Sequence, residues 1–429
     1  MKTLHPLRYV QVCFMCLSAS SCCAEDIQSV LSTLGDNMWI KIPVPANHPI
    51  TRSAAPVMHY IPETHEALLW GCSHGDNHND LWSYNLSMQS WKELLPTEES
   101  ILKDVNVLKL KDGLVMTREE RPLSMHQWGS MAYDPDRKVL WHVPVLGWQG
   151  SAEMNSISYW YQNPDWKFPL PFTREEYLKS TAKLKGTYLW NYSPKQNKWS
   201  WVSTEDPAKL LEGMNGHWGT FRYFPPDKKL YMMATSWTDF DQVRVFDPET
   251  KRWSAMKVKL KALEDVKGKT VSPCVPVLYD EKDKCFILIE GSGTCIGTWK
   301  LEPQTQSFEQ LCAGIKTPPS NLDGPQGVYV YDSIHGTVLG IFVSKFYDAD
   351  KALKDKSYPS DRPLVMALDT QKKEWDVLPP SANNKAPVYD TRCVHTYFDP
   401  EHNVVVVYMG GYNSPATEMW LYRYKQAKK

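Results

Sequence analysis

The sequence predicts an all-β chain, a ring of six four-stranded units closed by a strand from the N-terminal end. Three observations carry this expectation. An aromatic or apolar residue, a polar turn of about five residues and an apolar strand follow one another in six places. An apolar residue and an aromatic stand seven positions apart in five places. The sixth unit stops without the second of those strands, and a strand of the missing kind, Asn37-Met-Trp39-Ile-Lys-Ile-Pro43, stands at the other end of the chain. Four strands per unit repeated radially make a β-propeller, which leaves no long exposed edge. Seven blades are the alternative, and the seventh would have to lie in residues 149–184, which lack the two-hairpin pattern.

Taken from the N-terminus, the chain opens with a basic segment (Lys2, Arg8), a short apolar stretch from Tyr9 to Ala19 and the small-residue run Ser20-Ser21-Cys22-Cys23-Ala24. That order fits a secretory signal of residues 1–24, so a secreted, periplasmic or cell-surface protein is expected. Ala19-Ser20-Ser21-Cys22 also loosely resembles a bacterial lipobox, which would put a lipid on Cys22 and is the minor alternative. Residues 25–36 read as a linker, 37–426 as one propeller domain and 427–429 as a tail.

The first hairpins are Ile61-Pro-Glu-Thr-His-Glu-Ala67, Tyr133-Asp-Pro-Asp-Arg-Lys-Val139, Phe224-Pro-Pro-Asp-Lys-Lys-Leu230, Tyr279-Asp-Glu-Lys-Asp-Lys-Cys285, Tyr331-Asp-Ser-Ile-His-Gly-Thr337 and Phe398-Asp-Pro-Glu-His-Asn-Val404. Each alternates apolar positions around an Asp/Pro/Gly-rich turn. The second hairpins carry Tyr84 with Trp91, Tyr192 with Trp199, Phe246 with Trp253, Leu301 with Phe308, and Leu368 with Trp375. Insertions interrupt the rhythm at residues 97–121, 149–184 and 346–363. The second of these holds Thr173-Arg-Glu-Glu-Tyr, which starts like a capped helix.

The pattern resembles the kelch-repeat propellers, including the central domain of galactose oxidase-like proteins. The cues are the Gly410-Gly411 pair after a second strand and the seven-residue spacing, and the resemblance spans nearly all of residues 36–426. Elsewhere the glycine pair is eroded to Gly71-Cys72 or Gly291-Ser292, or lost. Such a resemblance specifies architecture and says little of function.

Composition narrows the function classes. Lys+Arg total 48 against 49 Asp+Glu, a net charge of −1, so no basic field exists to recruit nucleic acid. A 42% hydrophobic and 23% charged balance excludes a mainly disordered chain. Past the signal, no apolar run reaches the length needed to span a bilayer. Eighteen Trp and 22 Tyr against 12 Phe favour aromatics with a polar handle, which suit strands and ligand surfaces alike. Outside the signal six cysteines remain, and disulfides are allowed in an oxidising compartment. Cys295 and Cys312 flank a strand-turn-strand pattern and are the favoured pair, while no cysteine spacing resembles a zinc site. The sequons Asn85-Leu-Ser87 and Asn191-Tyr-Ser193 are open to glycosylation in a suitable host.

In a four-stranded blade, the loop entering strand one and the loop joining strands two and three open on the same face, where binding groups usually sit. Those loops carry Arg52, His59, His74, Asp76, His78, Asp80, Arg121, His126, Gln127, Trp128, Trp148, Asn215, His217, Trp218, Trp237, Arg392, His395 and Asn413. The aromatics outside the seven-residue spacing (Trp128, Trp148, Trp160, Trp218, Trp237) suit sugar stacking, whereas those on it suit packing between blades. His74, Asp76 and His78 could hold a metal, although no spacing rule singles them out, and no cofactor is expected.

Copper-radical chemistry of the galactose oxidase kind needs a ligand from an additional C-terminal domain and is not expected. A Gly-x-Ser-x-Gly elbow and a phosphate-cradling loop are both missing from the sequence. The expected function is therefore recognition of a ligand on the His/Trp/Arg-rich loop face. Carbohydrate, including an anionic extracellular polysaccharide or glycan, is the favoured class and a protein the other partner. The competing reading is a polysaccharide lyase that cleaves a uronic-acid polymer by β-elimination. His126, His217 and Tyr159 (or Tyr161) would act as base and acid, and Arg392 would neutralise the carboxylate.

Overall fold

The seven-residue spacing is a cross-strand ladder. In the computed structural model, Tyr84 stands directly opposite Trp91, Tyr192 opposite Trp199, Phe246 opposite Trp253, Leu301 opposite Phe308 and Leu368 opposite Trp375. A sixth pair is split between the chain's two ends, Trp39 opposite Tyr422 with ring centroids 4.7 Å apart. The structure describes residues 26–52, 58–71, 79–98, 108–123, 129–143, 171–181, 188–206, 220–233, 242–260, 276–292, 295–316, 328–342, 364–378, 387, 393–410 and 416–427.

Helix α1 (Ile27–Thr33) precedes strand β1 (Met38–Ile42). Blade one is β2 (His59–Ile61), β3 (Glu66–Trp70), β4 (Leu81–Asn85) and β5 (Ser90–Leu95), followed by a hairpin, β6 (Leu108–Lys111) and β7 (Leu114–Thr117). Blade two is β8 (Met131–Asp134) and β9 (Val139–His142), then helix α2 (Arg174–Thr181), β10 (Tyr188–Ser193) and β11 (Lys198–Ser203). Blade three is β12 (Thr220–Phe224), β13 (Lys229–Met233), β14 (Gln242–Asp247) and β15 (Arg252–Lys257). A short strand, β16 (Lys259–Leu260), adds in parallel to blade four, which is β17 (Val277–Asp280), β18 (Cys285–Ser292), β19 (Cys295–Glu302) and β20 (Ser307–Lys316). Blade five is β21 (Val328–Asp332), β22 (Thr337–Phe342), β23 (Leu364–Asp369) and β24 (Glu374–Leu378). Blade six is β25 (Cys393–Asp399), β26 (Val404–Gly410) and β27 (Ala416–Arg423), completed by β1.

The six first strands touch one another in the cyclic order β2, β8, β12, β17, β21, β25 and back to β2, so the sheets stand around one axis as a six-bladed β-propeller. The core is six apolar seams, one between each pair of neighbouring blades. Leu69, Leu140, Phe224, Leu301, Leu339 and Leu421 are fully buried in them, each stabilising by about 1.5–3 kcal/mol relative to exposure.

The predicted linker 25–36 contains a packed helix. Ile27, Val30, Leu31 and Leu34, spaced for one helical face, are buried in the seam of blades six and one. Asp26 caps the first turn, and Arg423 donates to the carbonyls of Leu31 and Leu34 at the last. The helix start expected at Thr173 is present as a reciprocal capping box. Glu176 N–H donates to Thr173 Oγ1 (3.1 Å), and Thr173 N–H donates to Glu176 Oε2 (2.6 Å).

Strand register corrects the repeat alignment. Every turn between strands one and two has four residues and ends on a left-handed one: His65, Lys138, Lys228, Lys284, Gly336 and Asn403. The aligned aromatics are therefore Tyr60, Tyr133, Tyr223, Tyr279, Tyr331 and Phe398, so Ile61 and Phe224 lie one place later than their sequence alignment. Proline at the first turn position in blades one, two, three and six (Pro62, Pro135, Pro225, Pro400) marks the same register. Several of these tyrosines staple neighbouring blades. Tyr133 donates to Glu63 (2.5 Å), Tyr223 to Asp136 and Tyr331 to Asp280 (2.8 Å), each across to the preceding blade.

Register also overturns the Cys295–Cys312 disulfide. Cys295 stands opposite Lys316 and Cys312 opposite Thr298, so the two are offset by three residues along the strands. That offset is about 10 Å, beyond the span of a disulfide. Cys285 and Cys312 are thiols.

Candidate functional site

The segment that leads into blade one crosses the top of blade six and is bound there. Tyr408 donates to the Pro49 carbonyl, and His48 Nδ1 lies 3.0 Å from the Tyr408 hydroxyl. The Arg52 backbone N–H donates to His395 Nε2 (3.1 Å). The Arg52 side chain is fully buried, donating to the Gly71 carbonyl through Nη1 (2.7 Å) and to Asp80 Oδ2 through Nη2 (2.7 Å). Trp82 Nε1 donates to the same carboxylate oxygen (2.6 Å). His395, expected as a ligand-binding group, is 1% exposed with its Nε2 taken by Arg52, so it anchors the seam and does not face solvent. Arg52 and Asp80 likewise neutralise one another.

Two of the glycine pairs keep their first glycine for a physical reason. The Gly71 carbonyl is the acceptor for Arg52, at a left-handed φ of 86°. At Gly410 a Cβ would fall 2.8 Å from the Thr51 side chain and 2.9 Å from the Ala416 Cα, so the entering segment can pass only over a bare backbone.

Nearer the axis, one register position of the first strands carries His59, Ala132, Arg222, Leu278, Val330 and Tyr397. Four of the six are apolar or aromatic, as packing between blades requires, and two are basic. Arg222 donates through Nε to the Val277 carbonyl (2.6 Å) and through Nη1 to those of Gly129, Met131 and Phe221. It therefore ties blades two, three and four together at the ends where the loops enter. Its Nη2 has no hydrogen-bond partner among the described residues, and no carboxylate among them pairs with the guanidinium. Burial pulls the Arg222 pKa down to about 10.

His59 lies on blade one within the field of this cation. Burial, and then the Arg222 charge, lower its pKa to about 3, so the imidazole is neutral at pH 7. Its ring has no hydrogen-bond partner among the described residues. A neutral imidazole within the field of a guanidinium that no described carboxylate pairs with is a setting for an anion that also offers a hydroxyl.

Sequence reasoning named His59 as a loop-face group and passed over Arg222, which looks like an ordinary polar residue in an alternating strand. The available signal was its register, a charge where other blades place Ala, Leu or Val. Of the remaining expected site residues, His74, Asp76, His78, His126, Trp128, Trp148, Tyr159, Asn215, His217, Trp218, Trp237 and Arg392 lie outside the described residues. Among the described residues, Asp399, Glu401 and His402 group as metal-ligand types. Their ligand atoms serve one another and blade one: His402 bonds Asp399 and Ser87, and Glu401 pairs with His65 (3.0 Å). No described helix is long and apolar enough to cross a membrane.

No family profile matches the chain, and no curated protein matches it. Among solved structures it is similar to a Bacteroides thetaiotaomicron protein of unknown function (8% identity, 92% of this chain and 73% of that one, TM-score 0.46). It is also similar to an auxiliary nutrient binding protein from Bacteroides ovatus (8%, 90% and 76%, 0.47) and to an oligogalacturonate lyase in complex with manganese (12%, 91% and 98%, 0.41). At these scores the likenesses add nothing to the fold read from strand pairing.

Proposed function

We propose that the protein is an extracellular recognition propeller that binds a carboxylate-bearing carbohydrate at the loop end of its axis. The observation that carries this reading is the guanidinium of Arg222, which among the described residues is held by backbone carbonyls alone and has no partner for Nη2, with neutral His59 within its electrostatic reach. A uronate supplies both complements, a carboxylate for the guanidinium and hydroxyl donors for the imidazole nitrogen. The same pKa argues for binding over catalysis by this pair. A base near 3 is neutral at pH 7 but too weak to take a sugar C5 proton efficiently, since a general base works best near the operating pH. The lyase reading therefore rests on His126, His217, Tyr159 and Arg392.

The test is affinity electrophoresis through a uronate polymer and through the same polymer with its carboxyl groups chemically reduced, with ultraviolet absorbance followed for unsaturated ends. Retention on the acidic form alone is expected, weakened at least about tenfold by Arg222→Gln, the loss of one charge-assisted hydrogen bond, and about two- to tenfold by His59→Gln, the loss of a neutral one. Equal retention on both forms would overturn the anionic reading. A rise in absorbance that His126→Ala and His217→Ala abolish would replace binding with the lyase.

A further inference from the structure

At the opposite end of the ring, the seam of blades six and one brings three side chains into line. Ser87, exposed in the turn between β4 and β5, places its Oγ 3.0 Å from His402 Nε2. His402 sits in the turn between β25 and β26, and its Nδ1 lies 3.0 Å from Oδ1 of Asp399, the last residue of β25. Asp399 is 1% exposed and its Oδ2 has no hydrogen-bond partner among the described residues. A carboxylate only accepts, so Nδ1 carries a proton, and in the neutral imidazole Nε2 accepts from the serine hydroxyl.

Blade five supplies an internal comparison. Asp332 and His335 occupy the same turn positions and also meet (2.7 Å), but the His335 Nε2 faces the Gln426 carbonyl at 3.3 Å. The Asp–His pair is thus a turn-closing device of the repeat. A hydroxyl on Nε2 belongs, of these two pairs, to the blade six seam. There Met88 N–H donates to Asn85 Oδ1 and Gln89 N–H to the Leu86 carbonyl, while Ser87 N–H makes no hydrogen bond among the described residues.

We infer that Ser87, His402 and Asp399 form a nucleophile, base and orienting carboxylate able to transfer the acyl group of small exposed acyl esters. Ser87 Oγ bonds to the acyl carbon as its proton passes to His402 Nε2. The ester C–O bond breaks and the leaving alcohol takes that proton. Water, deprotonated by the same nitrogen, then cleaves the acyl-serine to acid and restores the hydroxyl. The buried Asp399 carboxylate stabilises the imidazolium formed on the way, and the Ser87 N–H, which has no hydrogen bond among the described residues, would receive the developing oxyanion. Burial pulls the His402 pKa down, but the hydrogen bond and charge of Asp399, with Glu401 behind it, outweigh that and the opposing Arg423 charge, and leave it raised.

The test uses the whole protein, made in a host without N-glycosylation, and a fluorophosphonate probe followed by peptide mass mapping. An adduct on Ser87 is expected, absent in Ser87→Ala, formed about a hundredfold more slowly in His402→Gln and unchanged in His335→Gln. Because Ser87 is an exposed turn residue, its alanine variant keeps the fold, and p-nitrophenyl acetate hydrolysis should fall with it. No adduct at Ser87, or labelling at the same rate in His402→Gln, would overturn the assignment.

Discussion

Replacing Asp80 by Asn changes almost no volume and removes one charge, which strands the Arg52 guanidinium in a site where its side chain has no solvent exposure. Breaking a buried ion pair from one side typically costs about 3–5 kcal/mol, because the remaining charge is left desolvated and unpaired. The Trp82 indole keeps an acceptor in the Asn carbonyl oxygen, so that hydrogen bond does not add to the loss. For a cooperative unit of roughly 400 residues the unfolding entropy is about 0.8 kcal/mol per kelvin. The expected fall in Tm is therefore about 4–6 °C. Adding Arg52→Met removes the stranded cation, and the double variant should return to within about 1–2 °C of the parent, since apolar replacements of buried pairs are often near neutral. Scanning calorimetry reads all three proteins. A single variant within one degree of the parent, or a double variant no better than the single, would refute the claim that this pair is a mutually neutralised seam anchor.

Three further outcomes are expected. Gly410→Ala should destabilise by about 1–3 kcal/mol through overpacking, and Thr51→Ala should recover part of that, because the Thr51 atoms lie 2.8 Å from the new Cβ; urea melts of the single and double variants check it. Lys284 holds a φ of 50°, so Lys284→Val should cost about 1–2 kcal/mol and Lys284→Gly should not, as thermal melts will show. His142 is fully buried beside Trp70, and burial lowers its pKa from 6.5 to about 3. The unfolded chain alone takes the proton between those values, so its stabilisation is complete above pH 6.5 and declines below by about 1.4 kcal/mol per pH unit. Denaturant titrations from pH 7 to 5 should show that slope, and His142→Gln should flatten it; an unchanged slope would place the titration elsewhere.

Much of the fold was legible because its signals are local. The Leu301–Phe308 and Tyr84–Trp91 spacings span one four-residue turn and two strand ends, so period-two alternation and turn chemistry sufficed to pair them. The capping box at Thr173 is local in the same way. Where two apolar residues were adjacent, as at Tyr60-Ile61 and Tyr223-Phe224, either could serve as the repeat's aromatic or apolar marker, and the ladder had to choose. The segment before β1 looked like a linker because seven residues make a marginal helix alone, and it is burial against blade six that holds it.

By itself the sequence determined that this chain makes paired hairpins six times over, since those choices depend on neighbours a few residues away, and the strand missing from the sixth unit but present near the N-terminus pointed to the closure that pairs Trp39 with Tyr422. Only the tertiary structure decided which polar groups are used up and which remain available. Arg52 and His395 looked like ligand groups and proved to be seam anchors, while Arg222 looked like one more strand residue and proved to carry a charge that no described carboxylate pairs with. The physical reason is that desolvation and charge pairing are set by ring closure, which brings blades one, three and six together from far apart in the chain.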